Sequence, residues 1–293
     1  MMNMSVAKAG SATLAVLLLA MSAPGAGSQA GGLAQSGAPA RAGDWVSGHA
    51  SRARLVRGPL LAGGQHLAGV QIELEPGWHT YWRSPGDSGV PPRFDWSRSL
   101  NVAAAEVRYP APRLFRDPFG TSIGYEDEVA FPVLVTAGDL PGPVELVVEL
   151  DYAVCADICV PLTVELAATL DPDLAPAPDA ASLVSSYNRK VPRIQEEGSD
   201  QSPSIGRAWL EPGGGGAILH LAAKGAFPAD LFVEGPPGFY FPSATAMAGP
   251  EQGSLMFAVE VDGAAEPGEL AGARLTATLV AADGAVEYSW TVE

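Results

Sequence analysis

The sequence predicts an all-β protein: an immunoglobulin-like β-sandwich followed by a second, smaller β-sandwich-like domain. Three observations predict it. Short Val/Leu/Ile-rich runs with period-two alternation recur along the chain. Thirty-four Gly and 26 Pro punctuate those runs as turn formers. Residues 171 to about 203 interrupt the alternation and divide the β pattern in two.

In chain order, residues 1–30 read as a secretory signal. Lys8 is the positive end, Leu14 to Ala20 is the core of a short apolar segment, and Ser28-Gln-Ala30 is the favoured cleavage site over Met21-Ser-Ala23. Residues 31–43 are Gly/Ala/Ser/Pro-rich and read as a disordered linker. The first β domain is expected over 44–170. Ser51 to Arg57, Leu67 to Glu75 and Val102 to Tyr109 alternate, and His79-Thr-Tyr-Trp82 is a β-prone aromatic strand. In Val129 to Val135, Pro132 argues for an edge or a bulge, because proline cannot donate to a ladder. Val144 to Val154 runs straight into Cys155, and Val160 to Leu170 resumes the alternation. About seven short strands over this length are the immunoglobulin-like signature.

Residues 171–204 read as a linker with a short helix, N-capped by Asp179 and running to about Lys190, with Leu183, Val184 and Tyr187 at helical spacing. Residues 205–293 read as the second β domain. Its strands are expected at 208–210, 217–221, 231–233, 254–261, 274–280 and 285–292, and it holds no cysteine.

The net charge is −16 and becomes −17 once Lys8 leaves with the signal. Phosphate recognition needs clustered Lys and Arg, so the charge argues against nucleic acid and an anionic membrane surface as partners. No later run approaches 18 apolar residues, so no membrane insertion of the mature chain is expected. The signal implies export, and the resemblance drawn below implies the periplasm.

Chemistry concentrates at Cys155 and Cys159, the only cysteines. In an oxidising compartment they should pair. A ring this small gains only about 2 kcal/mol of loop-closure entropy, so the bond staples little. Three uses stay open: dithiol–disulfide exchange, local stiffening, or Cu(I) binding by two soft thiolates. Asp157 between the sulfurs disfavours a thiolate, which suits a passive carrier attacked by a partner. The Cys-x3-Cys spacing resembles that of Sco-type copper chaperones, but the βαβ pattern is missing and the only downstream histidine is His220. His79, Ser84 and Asp87 could be drawn as a hydrolytic triad, yet no Gly-x-Ser-x-Gly elbow accompanies them. Arg113 to Glu128 reads as a long aromatic loop able to cover a reactive disulfide.

Three blocks in this order carry a family resemblance: Gly77-Trp-His-Thr-Tyr-Trp-Arg-Ser-Pro-Gly-Asp-Ser-Gly89, Ile123-Gly-Tyr-Glu-Asp-Glu-Val-Ala-Phe-Pro-Val133, and Leu150-Asp-Tyr-Ala-Val-Cys-Ala-Asp-Ile-Cys-Val-Pro161. Together they resemble the N-terminal periplasmic domain of DsbD/ScsB-type thiol:disulfide interchange proteins, over roughly residues 45–170. The ScsB-like branch also carries a second β domain. The resemblance implies a redox-active pair at Cys155 and Cys159, with Cys159 attacking and Cys155 resolving, and no cofactor. It implies a cap over the disulfide, with Phe119 first choice and Phe115 second, and Tyr125 and Tyr152 lining the site. It implies a membrane thiol-electron transporter as reductant, and exported thioredoxin-like or disulfide-isomerase proteins, including factors of cytochrome c biogenesis, as clients. Two departures stand out. The best-known members space their cysteines more widely, and this sequence carries no transmembrane electron-transfer domain and no thioredoxin domain.

Overall fold

The computed structural model describes residues 42–117, 120–199 and 201–293. The expected signal (1–30), most of the 31–43 segment and Phe119 lie outside the described residues. The first β region consists of β1 (Val46–Gly48), β2 (Ser51–Leu60), β3 (His66–Leu74), β4 (His79–Gly86), β5 (Arg93–Asp95), β6 (Val102–Val107), β7 (Arg113–Asp117), β8 (Gly120–Glu126), β9 (Glu128–Ala137), β10 (Val144–Cys155) and β11 (Cys159–Leu170). One sheet runs β1-β2-β3-β9-β6; the other runs β11-β10-β4-β8-β7, with β5 also on β10. Every pairing between these strands is antiparallel.

Alternation sets which side chains fill the space between the sheets. Val70 and Ile72 of β3, Phe131 and Val133 of β9, and Leu146, Val148 and Leu150 of β10 share one buried cluster. The chain passes from one sheet to the other at Asp127, whose φ of 61° makes the sharp turn between β8 and β9; Asp is among the few non-glycine residues that tolerate this conformation.

Pro132 departs from expectation. It lies inside β9, a strand flanked by β3 and β6, where it pairs with Gly69. Its carbonyl accepts from Arg108 N (2.8 Å), just past the end of β6. The missing N–H thus faces the side where that ladder stops, so little pairing is lost.

Helix α1 (Pro178–Asn188) begins two residues earlier than expected. Ala177 caps it without a side-chain bond; Pro178 opens the first turn, and Asp179 sits inside that turn, where its charge complements the helix dipole. The helix is docked. Val184, fully buried, packs with Val56, Leu67 and Leu134, and a Cβ on Gly69 would come within 2.7 Å of Val184 Cγ2. Glycine at 69 is what lets the helix lie this close to β3. Tyr187 donates its hydroxyl to Glu128 O (2.9 Å).

The second β region consists of β12 (Arg193–Ile194), β13 (Ser204–Pro212), β14 (Ala217–Lys224), β15 (Ala229–Glu234), β16 (Ala244–Thr245), β17 (Met247–Ala248), β18 (Ser254–Val261), β19 (Arg274–Ala281) and β20 (Gly284–Thr291). Its sheets run β12-β20-β19-β15-β16 and β13-β14-β18-β17. A separate apolar cluster fills it, including Leu219, Leu231, Phe257 and Leu279. The two regions are joined by more than the chain. Phe232 of β15 reaches the first core, 5.7 Å from the Trp82 ring. Arg83 of β4 donates to Glu234 (2.6 Å) and to Glu287. Burial opposes the Arg83 charge, but hydrogen bonds and charges from these two carboxylates outweigh it and hold the guanidinium firmly protonated.

Candidate functional site: a hairpin disulfide under an aromatic cover

Cys155 ends β10 and Cys159 opens β11, and the two face each other as the last pair of the β10–β11 ladder. They form a disulfide. Residues 156–158 make the turn, with Ala156 N donating to Ile158 O (3.1 Å). The two sulfurs differ in access: Cys155 is 7% exposed, whereas Cys159 is exposed. Asp157 and Ile158 are exposed beside Cys159.

The cover comes from β4, β7 and β8. Cys155 lies opposite His79 of β4, next to Val154 opposite Thr80. Alternation then puts His79 and Tyr81 on the disulfide face and Thr80 on the other face, where its hydroxyl donates to Ala153 O (2.8 Å). The Tyr81 hydroxyl lies 3.2 Å from Cys159 Sγ, and Tyr81, Ala153 and Cys155 form a small buried cluster. Phe115 of β7 stacks on His79 at 4.8 Å and 13°. His79 Nε2 is 3.3 Å from Ser122 Oγ of β8.

The expected residues fall out as follows. Phe115 stacks on the imidazole opposite Cys155. The expected covering loop is instead the β7–β8 hairpin, paired from Arg113↔Gly124 to Asp117↔Gly120. Tyr125 and Tyr152 are not brought to the disulfide; both face the sandwich core. Tyr125 donates to Pro110 O (2.8 Å), and burial pushes its hydroxyl pKa well up. Tyr152 meets Ser51 Oγ at 2.9 Å, and burial likewise raises its pKa. Tyr152 precedes Cys155 by three residues in one continuous strand, an odd step that reverses the face.

The triad drawing does not assemble. His79 bonds Ser122, while Asp87 accepts from Thr121 N (3.2 Å) and from the Tyr240 hydroxyl. Among the described residues no group of three or more His, Cys, Asp or Glu is placed to hold a metal ion. No helix among them is long and apolar enough to cross a membrane.

This geometry agrees with the sequence comparison. Residues 53–171 match the family model described as thiol:disulfide interchange protein DsbD, N-terminal. Over these residues the chain is similar to that N-terminal domain. The likeness in fold extends further. The N-terminal periplasmic domain of ScsB from Proteus mirabilis superposes with a TM-score of 0.66 at 21% identity, covering 85% of this chain and 96% of that one. At this identity the likeness is one of fold, and it takes in both β regions. A marsupial T cell receptor also matches at 13% identity, over 81% of this chain and 99% of that one, but its TM-score of 0.22 is too low to inform fold or function. No curated protein matches the chain in sequence.

Sequence reasoning missed Tyr81 and the closeness of His79 to Cys155. The alternation of His79-x-Tyr81 against Thr80-x-Trp82 was a visible signal that two polar rings share a face. Their placement over the sulfurs came only with the β4–β10 register.

Proposed function

We propose that this chain relays reducing equivalents in the periplasm by dithiol–disulfide exchange. A membrane thiol-electron transporter reduces the Cys155–Cys159 pair, and the pair reduces exported thioredoxin-like or disulfide-isomerase proteins, including those serving cytochrome c biogenesis. The observation that carries this is the asymmetry of one disulfide in a region similar to the DsbD N-terminal domain: Cys159 is open to a partner while Cys155 is buried behind it. Exchange needs one reachable sulfur and a second to resolve the mixed disulfide. In this reading Cys159 forms the bond with the client and Cys155 resolves it. The Tyr81 hydroxyl, 3.2 Å from Cys159 Sγ, donates to the thiolate that forms there. Ile158, 60% exposed beside Cys159, offers a docking client an apolar contact. The Phe115 ring covers the inner side and limits access by stray thiols.

The test is a trap. Cys155→Ala, reacted with an oxidised thioredoxin-like protein, should accumulate a mixed disulfide through Cys159, and Cys159→Ala should not. The pair's reduction potential should lie above the roughly −300 mV typical of structural bonds. No trapped species, together with a potential well below that value, would sink the proposal. Tight stoichiometric binding of Cu(I) by the reduced chain would assign the same sulfurs to metal instead.

A further inference from the structure

The exchange scheme leaves unused a buried imidazole beside the resolving sulfur. His79 stands directly opposite Cys155, so their Cβ atoms have the spacing of opposed residues, about 4.5–5.5 Å. Both are nearly closed to solvent, at 9% and 7% exposure. The ring is held on three sides: Phe115 stacks on it, Tyr81 meets it edge-on at 5.4 Å, and Ser122 Oγ lies 3.3 Å from Nε2.

We propose that His79 is the acid–base partner of Cys155 in the resolving step. This rests on the relay reading. Once the pair is reduced, Cys155 is a buried thiol, and burial disfavours the thiolate that must act as nucleophile. Imidazole takes up and releases a proton near neutral pH, which is the task required here.

The sequence of bonds balances. The Cys159 thiolate attacks one client sulfur; the mixed disulfide forms, the client disulfide breaks, and the first client thiolate departs. Neutral His79 then accepts the Cys155 proton. The Cys155 thiolate attacks Cys159 Sγ, the Cys155–Cys159 bond forms, and the mixed disulfide breaks. The imidazolium passes its proton to the departing client sulfur. The client gains two electrons and the pair loses two.

Among the described residues, the following titratable and charged groups face the imidazole. Cys155 comes from β10 and Tyr81 from β4 itself. Glu126 of β8 lies directly opposite His79, and its charge is paired with Arg113 of β7. The Glu126 carboxylate favours the imidazolium and Arg113 offsets it; the Cys155 sulfur is a neighbour whose charge changes during exchange.

The experiment uses the full chain with Cys159→Ser, which leaves Cys155 as the sole thiol. Thiolate absorbance is followed across the neutral pH range with and without His79→Gln, a variant that keeps a polar group for Ser122. With His79 lost, the thiolate fraction at neutral pH should fall about tenfold, one pK unit. Superimposable curves would overturn the proposal. Should His79→Gln not fold, the natural chain supplies a second readout. Coupling is reciprocal, so the imidazole NMR titration midpoint must differ between the oxidised and reduced pair, and coincident midpoints would overturn the proposal equally. Neither readout involves a client. A negative result here leaves the relay reading standing, and a failed mixed-disulfide trap leaves these titrations unaffected.

Discussion

Replacing Arg83 by Met tests whether the two β regions act as one body around the site. Arg83 lies on β4, two residues after Tyr81, and its guanidinium meets Glu234 of β15 and Glu287 of β20. It also lies over the Trp82 ring, 4.5 Å from the centroid. Methionine keeps much of the stem on Trp82 and removes the charge, leaving two carboxylates unpaired at the seam. Breaking a fully buried ion pair costs about 3–5 kcal/mol. Here the Arg83, Glu234 and Glu287 side chains keep 27%, 27% and 19% exposure, so water screening brings the expectation down to about 2–3 kcal/mol. For a body of this size that lowers Tm by roughly 4–12 °C, read by calorimetry on the oxidised chain. Much of the loss is the stranded negative charge, so adding Glu234→Gln and Glu287→Gln to Arg83→Met should restore at least half of it. A drop below about 2 °C, or a triple variant no better than the single one, would refute the reasoning.

Two other contacts give further predictions. Phe115→Ala removes a ring stack worth about 0.5–1.5 kcal/mol, so a small dithiol should reduce the disulfide roughly two- to tenfold faster; an unchanged rate would show that Phe115 covers nothing. Burial holds the His66 imidazole below its ordinary value of 6.5, against the opposing pull of Asp171. The unfolded chain therefore binds more protons as the pH falls through that value, and stability declines until the folded-state pKa is passed. Urea midpoints on either side of this window should show the decline, His66→Gln should flatten it, and an equal slope in the variant would remove the assignment.

The β pattern was legible because inward and outward residues alternate and each sheet has one face on a core. Val70 and Ile72 of β3 and the long run of β10 announce themselves in this way. What failed to read locally depended on pairing. Arg113-Leu-Phe-Arg shows no clean alternation, and its strand character comes from β8 across the hairpin. Pro132 looked like an edge residue because the sequence does not show where β6 ends. The cysteine pair was legible as chemistry, while its surroundings were only partly so. Tyr152 could have been excluded by counting three residues back from Cys155. Tyr81 could not have been found that way, because it lies 78 residues from Cys159 and meets it only through the β4–β10 register.

In the proposed relay, the β10–β11 register would let the disulfide open without disturbing the fold. β10 and β11 pair along twelve positions, from Val144↔Leu170 to Cys155↔Cys159. That ladder keeps the two sulfurs opposed whether or not they are bonded. The bond closes so small a ring that it adds only about 2 kcal/mol through chain entropy. Reduction would uncover no core, because Leu146, Val148, Leu150 and Val154 of β10 lie in the cluster between the sheets, away from the bond. A staple between distant elements would couple each electron transfer to partial unfolding, and part of the driving force would be lost to that work. With the bond confined to a hairpin end, the balance between dithiol and disulfide is left to the groups touching the sulfurs. Among the described residues these include the Tyr81 hydroxyl at Cys159; the His79 ring stands on the residue opposite Cys155, and both rings are carried on a strand that Arg83 fixes to the second β region.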